Sequence, residues 1–261
     1  MRRLATALMA AAALAMLATG VHAQDKRKVK IGTEGAYPPF NSIDTNGELV
    51  GFDVDIAKAL CEAANFECEF VVQDWDGIIP GLIAKKYDAI IASMSITDER
   101  RKVVDFTDKY YNTPAKFVAP KGADLDISPE GLAGMAVGVQ RATIHENFLR
   151  GEFPEVDVRA YATQDEANAD LVSGRLDLIM ADSVALLEGF LKTEEGQDFE
   201  FVGPDYADPN YHGEGAGIAI RKGEDDLRLA FNDAIDKIRE DGTYQAIAAK
   251  YFDFDVYGPT S

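Results

Sequence analysis

Apolar positions along the chain follow two different periods, and these predict its secondary structure. Short apolar runs bounded by turn residues predict strands, and stretches of about 10–14 residues with apolar positions three and four apart predict helices. Ile56, Leu60 and Ala64, for example, lie on one face of a predicted helix. The pattern predicts strands at 29–33, 66–72, 87–92, 134–139, 156–161 and 175–180, and helices at 52–64, 76–85, 143–150, 164–173, 184–192 and within 225–251.

Strands that alternate with helices favour an α/β fold with mainly parallel sheets and helices on both faces. Residues 84–91 also resemble residues 172–179: a helix ends near a basic residue, the chain turns, and Asp88 or Asp177 leads an apolar strand. This internal similarity predicts two small α/β lobes.

The first 23 residues have the pattern of an export signal. Arg2 and Arg3 precede an apolar run over 4–20, and a small residue two positions before Ala23 completes the motif. We predict a cleaved signal peptide over 1–23 and a periplasmic protein. A membrane anchor is the weaker alternative, because the run is only about 17 residues long.

The remaining sequence is strongly acidic. The chain has 261 residues with a formal charge of −19; removing 23 of them, Arg2 and Arg3 included, leaves 238 residues and a charge of −21. This charge disfavours nucleic acid and anionic membrane surfaces as partners, so we predict no nucleic acid and no membrane insertion.

Two cysteines, Cys61 and Cys68, lie in the exported part, where a disulfide between them is expected. The small ring would stabilise the fold by about 2–3 kcal/mol. With only His145 and His212 as distant further ligands, the sequence predicts no metal site.

Sequence motifs of common enzymes are missing. The sequence has no Gly-x-Ser-x-Gly elbow, no phosphate-binding glycine loop and no His-Glu-x-x-His. The glycine-rich stretch 213–217 precedes a predicted strand, so we interpret it as a backbone crossing, and we predict no cofactor.

Polar residues follow several predicted strands, where ligands of open α/β sheets bind. Hydroxyls at Ser93 and Ser95, a helix start near Asp98 and the guanidinium of Arg100 form a pattern that suits a carboxylate. In the alternative interpretation, Thr97 or Asp98 only caps a helix and Arg100 is solvated.

Acidic and aromatic residues follow other strands. Asp182 could pair with an ammonium group or cap the next helix, and Glu34 follows the first strand with Tyr37 close by. Tyr37 and Trp75, the only tryptophan, could stack on a cationic side chain near one carboxylate, or could be ordinary core residues.

Taken in order, several motifs resemble the periplasmic polar amino acid-binding proteins of ABC importers, especially the lysine/arginine/ornithine- and histidine-binding group. The similarity covers about 29–257, and its markers are IGTEGAYPPF at 31–40, GFDVDI at 51–56, DWDGIIP at 74–80, DAIIASMSIT at 88–97, GRLD at 174–177, DGTY at 241–244 and YF at 251–252. The family also has a cysteine pair at the positions of Cys61 and Cys68.

The resemblance implies a two-lobed (type II) periplasmic binding protein fold with an interlobe cleft. Lobe 1 would comprise 24–113 and 214–261, lobe 2 would comprise 114–213, and the hinge would lie near 111–116 and 207–216. The implied partners are a free amino acid and the permease subunits of an ABC importer, and a monomer is expected.

The resemblance also implies roles for individual residues. Arg100, Ser95 and the amide of Thr143 would hold the α-carboxylate, while Asp182, Ser93 and the carbonyl of Ala92 would hold the α-ammonium. Tyr37 and Trp75 would enclose the side chain, and Glu34 would meet a distal positive charge. Further contacts are expected from Gln140, Ile144 and His145, the last near the distal end of the ligand.

Departures from the family pattern concern ligand choice. Glu34 stands where the nearest group has Asp, Trp75 where it has Phe, and Ala92 where it has the first Ser of a pair. We predict capture of a cationic L-amino acid, arginine first and then lysine or ornithine, with histidine, glutamine or an arginine-derived opine as alternatives. An enzyme similar to cyclohexadienyl (arogenate/prephenate) dehydratases, which resemble this family, is the alternative of another class.

Overall fold

The computed structural model describes residues 26–258, so the predicted signal peptide lies outside the described residues. Within that part, the strands are β1 (Arg27–Thr33), β2 (Ala36–Tyr37), β3 (Asn41–Ile43), β4 (Leu49–Val50), β5 (Phe66–Val72), β6 (Ala89–Ile90), β7 (Val104–Tyr111), β8 (Ala115–Pro120), β9 (Ala136–Gln140), β10 (Asp157–Tyr161), β11 (Leu178–Asp182), β12 (Phe199–Tyr206) and β13 (Ala216–Arg221).

Most helices lie between strands, as the alternating pattern predicts, and the last two follow β13. The helices are α1 (Phe52–Ala63), α2 (Trp75–Ile83), α3 (Asp98–Arg101), α4 (Ile144–Glu152), α5 (Gln164–Val172), α6 (Ser183–Leu186), α7 (Pro209–His212), α8 (Asp225–Glu240) and α9 (Thr243–Ala248), with a π-helix at Leu187–Leu191 and a 3-10 helix at Glu195–Asp198. Among the described residues, no helix is both long enough and apolar enough to cross a membrane.

Two five-stranded sheets form the centres of two lobes. The first has the order β5-β1-β6-β13-β7 and the second has the order β10-β9-β11-β8-β12. Both faces of each sheet are covered: in β13, Ile218 and Ile220 belong to one apolar cluster and Ala219 to the cluster on the other face. Because successive side chains of a strand point to opposite faces, two-sided burial explains why these strands are continuously apolar.

The sheets are mixed, and most strands of each run in one direction, as expected. β5, β1 and β6 pair in parallel, as do β10, β9 and β11, but β13 and β8 pair antiparallel with both of their neighbours. The reason is topological: β8 and β13 follow segments that arrive from the other lobe, and they therefore enter their sheets in the opposite direction.

The chain crosses between the sheets twice, at 112–114 and at 207–215. The second crossing requires glycine at position 213, where φ is +73° and an added Cβ would lie 2.0 Å from the carbonyl oxygen of Ile96. This close approach lets Glu214 donate its N–H to that same carbonyl at 3.1 Å. The glycine-rich stretch is thus a backbone crossing, as the sequence suggested.

The similar segments 84–91 and 172–179 form the same local structure in the two lobes. The carboxylate of Asp88 accepts the N–H of Lys30 at 2.9 Å, and Asp177 accepts the N–H of Ala136 at 2.8 Å. Each aspartate therefore fixes the start of its strand against the neighbouring strand.

Several local features differ from the sequence-based expectations. The strand expected over 87–92 has only the two paired residues Ala89–Ile90, and the helix expected over 184–192 ends as an α-helix at Leu186 and continues as a π-helix. The small sheet β2-β3-β4 and the strands β7, β8 and β12 were not predicted from the hydrophobic pattern. The expected disulfide between Cys61 and Cys68 is confirmed.

Candidate functional site

One cavity lies between the two lobes, with about 600 Å³ of empty space, part of it open to solvent. All twelve residues singled out from the sequence line it: Glu34, Tyr37, Trp75, Ala92, Ser93, Ser95, Arg100, Gln140, Thr143, Ile144, His145 and Asp182. Strand ends explain much of this convergence, because Glu34 follows β1, Ser93 follows β6, and Gln140 and Asp182 are the last residues of β9 and β11.

Arg100 supplies a positive charge to the cavity. It lies in the four-residue helix α3, whose N-cap Thr97 accepts the N–H of Arg100 through Oγ1 at 3.2 Å. The guanidinium donates to the carbonyl of Ser95 at 3.0 Å and lies 5.3 Å from the Trp75 ring centroid. Both sequence interpretations hold in part: Thr97 caps the helix, but Arg100 is half-buried and not free in solvent.

Burial lowers the pKa of Arg100 to about 10, so the side chain is still a cation at neutral pH. No carboxylate of the described residues forms an ion pair with it. A planar guanidinium with unpaired donors suits a carboxylate that arrives with a ligand.

Asp182 supplies a negative charge on the opposite lobe. Its Oδ1 accepts the N–H groups of Val184 at 2.8 Å and Ala185 at 3.2 Å, and its Oδ2 accepts the hydroxyl of Thr113. Capping of α6 therefore uses Oδ1, while Oδ2 is bonded to Thr113, which lines the cavity as Asp182 does. Burial raises the pKa of Asp182 to about 6.

Glu34 supplies a second negative charge. Burial, opposed by a hydrogen bond from the side chain of Gln140, raises the pKa of Glu34 to about 7. Asp74, Asp76 and Asp165 raise it further, and no cation of the described residues pairs with this carboxylate. A cationic group in the cavity would offset both the burial of the Glu34 charge and the repulsion from these aspartates.

Contacts across the cavity hold the lobes together. Nε1 of Trp75 donates to the carbonyl of Ala142 at 3.1 Å, and the hydroxyl of Tyr37 accepts the N–H of Asp182 at 3.3 Å. At the edge, Nε of Arg141 lies 2.6 Å from Oδ2 of Asp76. Since each of these pairs joins the two lobes, the structure is a closed form of the cleft.

His145 is a buried residue of the cavity lining, and its expected place near the distal end of the ligand stays a prediction. Its ring lies 6.0 Å from that of His212, and burial, then His212 and Arg100, lower its pKa well below the ordinary value. It is therefore a neutral imidazole at neutral pH. Within 26–258, no group of three or more His, Cys, Asp or Glu side chains is arranged to hold a metal ion.

Six further residues line the cavity that the sequence did not suggest. They are Tyr111, Asn112, Thr113, His212, Gly215 and Ala216. All lie on or beside the two crossing segments. The glycine-rich stretch 213–217 and the hinge implied by the resemblance, near 111–116 and 207–216, were the available signals, since a crossing between two lobes must pass the cleft between them.

The raised pKa of Glu34 predicts a pH-dependent stability. In the folded state the Glu34 carboxyl keeps its proton up to about pH 7, whereas its ordinary pKa is 4.5. The unfolded state therefore loses this proton first, and the free energy of unfolding falls as the pH rises through this interval. Glu34→Gln removes the effect. We expect the variant to gain on the order of 2–3 kcal/mol of unfolding free energy relative to wild type between pH 5 and pH 8. Urea denaturation at both pH values measures these free energies. A difference between variant and wild type that is the same at pH 5 and pH 8 would contradict the prediction.

Comparison with known proteins identifies the family. The family model for bacterial extracellular solute-binding proteins, family 3, matches residues 29–254. The chain belongs to this family. The family is named for binding solutes outside the cell.

Three relatives are similar over nearly their whole length. The L-arginine-binding protein of Pseudomonas aeruginosa is 51% identical over 254 residues, which cover 97% of this chain and 98% of that protein. The lysine/arginine/ornithine-binding periplasmic protein of Escherichia coli is 44% identical over 232 residues, covering 88% and 89%. Among solved structures, a Salmonella typhimurium periplasmic binding protein with high arginine specificity has a TM-score of 0.81 at 34% identity, covering 87% of this chain and 99% of its own.

Proposed function

We propose that this family member captures a cationic L-amino acid, arginine first and then lysine or ornithine, in the cavity between its lobes. The observation that carries the proposal is the set of three charged side chains around one cavity, Arg100, Asp182 and Glu34, none of which forms an ion pair with another described residue. Buried charges are costly unless they are paired. A ligand with the complementary charges would supply the missing partners.

The charges of the cavity match one class of ligand. Arg100 suits an α-carboxylate and Asp182, with Ser93, suits an α-ammonium, which together define an amino acid. Glu34 adds a negative charge that a neutral amino acid would leave unpaired. A side chain that ends in a guanidinium or ammonium pairs with it, and Trp75 and Tyr37 offer aromatic surface for the side chain in between.

The relatives support this ligand class. One is named for L-arginine, one for lysine, arginine and ornithine, and a solved structure for high arginine specificity. Glu34, Trp75 and Ala92 depart from the basic-amino-acid group, so histidine, glutamine or an arginine-derived opine are the alternative ligands.

Ligand capture would work through the hinge. Arg100, Glu34 and Trp75 belong to the first lobe, whereas Asp182, Gln140 and Thr143 belong to the second. Only the closed form brings both sets to one ligand, so binding shifts the equilibrium of the two lobes towards closure. The closed protein would then deliver the amino acid to the permease of an ABC importer. We infer a periplasmic location after removal of residues 1–23.

A thermal-shift panel of amino acids tests this function. A ligand present at about 1,000 times its dissociation constant stabilises the folded state by about 4 kcal/mol, which raises the melting temperature by roughly 10 °C for a chain of this size. We expect this shift with arginine, a similar or smaller one with lysine and ornithine, and none with glutamate. A response to glutamine or acidic amino acids alone would overturn the assignment of Glu34.

An enzyme of the cyclohexadienyl dehydratase kind is the alternative of another class. Glu34 is the group on which it would depend, because a carboxyl with a pKa of about 7 could protonate a leaving group. We propose binding without catalysis. An assay with arogenate and prephenate should show no release of phenylalanine or phenylpyruvate above background, and turnover that disappears in Glu34→Gln would favour the enzyme.

A further inference from the structure

Asp53 is a buried carboxylate that the proposed binding mechanism has not used. It lies in the first turn of α1, within the sequence motif at 51–56, and only 1% of its surface is exposed. An acidic residue in a first helical turn often serves the helix dipole. The side-chain hydrogen bonds of Asp53 instead come from three residues outside the helix, which indicates a different role.

The three donors connect Asp53 to the candidate site. Oδ2 accepts the hydroxyl of Ser93 at 2.9 Å and Nδ2 of Asn41 at 2.8 Å, and Oδ1 accepts the hydroxyl of Tyr110 at 2.7 Å. Tyr110 in turn accepts the N–H of Ser93 at 3.1 Å. Ser93 is therefore held at both its backbone and its side chain by one small network.

The backbone of Ser93 shows why this support is needed. Ser93 has φ +54°, in the left-handed region that a residue other than glycine rarely adopts. Such a conformation persists when the surrounding structure holds it in place. Here the hydrogen bonds from Ser93 to Asp53 and Tyr110 hold it, next to the cavity.

The direction of the hydrogen bond decides what Ser93 can offer a ligand. Because its hydroxyl proton is donated to Asp53, Oγ keeps two lone pairs: the Tyr111 hydroxyl lies within hydrogen-bond reach of this oxygen, and a second donor can come from the ligand. An ammonium group has three donors and no acceptor, so it fits this oxygen, whereas a group that can only accept hydrogen bonds does not.

A second arm of the network reaches Glu34. Oδ1 of Asn41 accepts the N–H of Gly35 at 2.7 Å, while Nδ2 of the same amide donates to Asp53. Gly35 has φ +77° and directly follows Glu34. One buried carboxylate thus connects the two loops that carry Ser93 and Glu34.

We propose that Asp53 is a positioning residue of the binding site: it fixes the Ser93 hydroxyl as an acceptor for the α-ammonium of the ligand. The proposal rests on the proposed function only in that the ligand is an α-amino acid. Asp53 itself does not line the cavity and acts through Ser93.

Calorimetry with two ligands tests the proposal: L-arginine and its des-amino analogue, in which a hydrogen replaces the α-ammonium and leaves no donor for Ser93. We expect Asp53→Asn to lower the affinity for arginine more than about tenfold and that for the analogue less than about threefold. Ser93→Ala should show the same selectivity, and the double variant should bind arginine within about threefold of the weaker single variant. Equal losses for both ligands, or additive losses in the double variant, would overturn the proposal.

Controls separate positioning from general destabilisation. Asp177→Asn removes a carboxylate that also holds a backbone N–H but lies away from the cavity, and it should leave the arginine-to-analogue ratio unchanged. If Asp53→Asn does not fold, Tyr110→Phe keeps the carboxylate and removes one support of Ser93. It should lower arginine affinity preferentially, and an unchanged ratio in a folded Tyr110→Phe protein would contradict the proposal.

The same data distinguish the inference from the proposed function. Wild type that binds no cationic amino acid would contradict the proposed ligand class. The comparison is then made with the α-amino acid that wild type binds and its des-amino analogue, since every α-amino acid has the α-ammonium. Wild type that binds no α-amino acid would overturn both proposals.

Discussion

Arg100→Ala is expected to abolish binding of every α-amino acid, with affinities that fall by more than about 100-fold. The guanidinium is half-buried, has no carboxylate partner among the described residues, and is fixed by the Ser95 carbonyl and the Trp75 ring. Its removal would leave the α-carboxylate of the ligand desolvated and unpaired. Because all α-amino acids share that group, the loss should not depend on the side chain of the ligand.

Arg101→Ala is the matched control for this experiment. Arg101 is the neighbouring arginine of the same short helix, but its guanidinium forms an exposed ion pair with Glu214 at 2.9 Å. Calorimetry should show an affinity within about threefold of wild type, because exposed ion pairs contribute little. Arginine binding that survives in Arg100→Ala would mean that the carboxylate is held elsewhere.

Glu34→Gln is expected to weaken arginine, lysine and ornithine by about 10- to 100-fold and to leave a neutral amino acid such as histidine or glutamine within about threefold. The substitution keeps the shape of the side chain and removes the charge that we assign to the distal end of the ligand. Isothermal titration with each amino acid measures the ratio directly.

The matched control is Glu48→Gln, which removes an exposed glutamate charge from the same lobe. It should change no affinity, since exposed charges outside the cavity are screened by solvent. If arginine affinity were unchanged in Glu34→Gln, the distal charge would be recognised by another group and the side-chain assignment would fail. A uniform loss across all ligands would instead place Glu34 at the amino-acid head.

The residues at strand ends could be predicted from the sequence because their positions follow from a local pattern. An apolar run that ends in Asp182 or before Glu34 predicts both the strand and the location of the polar residue beyond it. Whether Arg100 is solvated or faces a cleft could not be decided in this way. That depends on Trp75, which lies 25 positions earlier in the chain and reaches Arg100 only through packing.

The features that the sequence did not predict depend on contacts between distant segments. Thr113 and His212 lie on the crossings, which have no hydrophobic period, and they meet the cavity only because the two lobes enclose it. Asp53 has the sequence appearance of a first-turn helical acid, and its role emerges only from Asn41, Ser93 and Tyr110. The mixed sheets arise in the same way, from the direction in which a strand returns.

The position of β13 has a consequence for the order in which the lobes fold. β13 lies between β6 and β7, and β7 joins its sheet only through β13. Residues 104–111 therefore lack their partner strand until residues 216–221 are available, whereas β8 to β12 form their sheet from one continuous segment. Because contacts between distant segments form slowly, the second lobe can fold from local sequence and the first is completed last. The walls of the cavity therefore come together late, and a truncated chain that ends before β13 would have one finished lobe and no binding site.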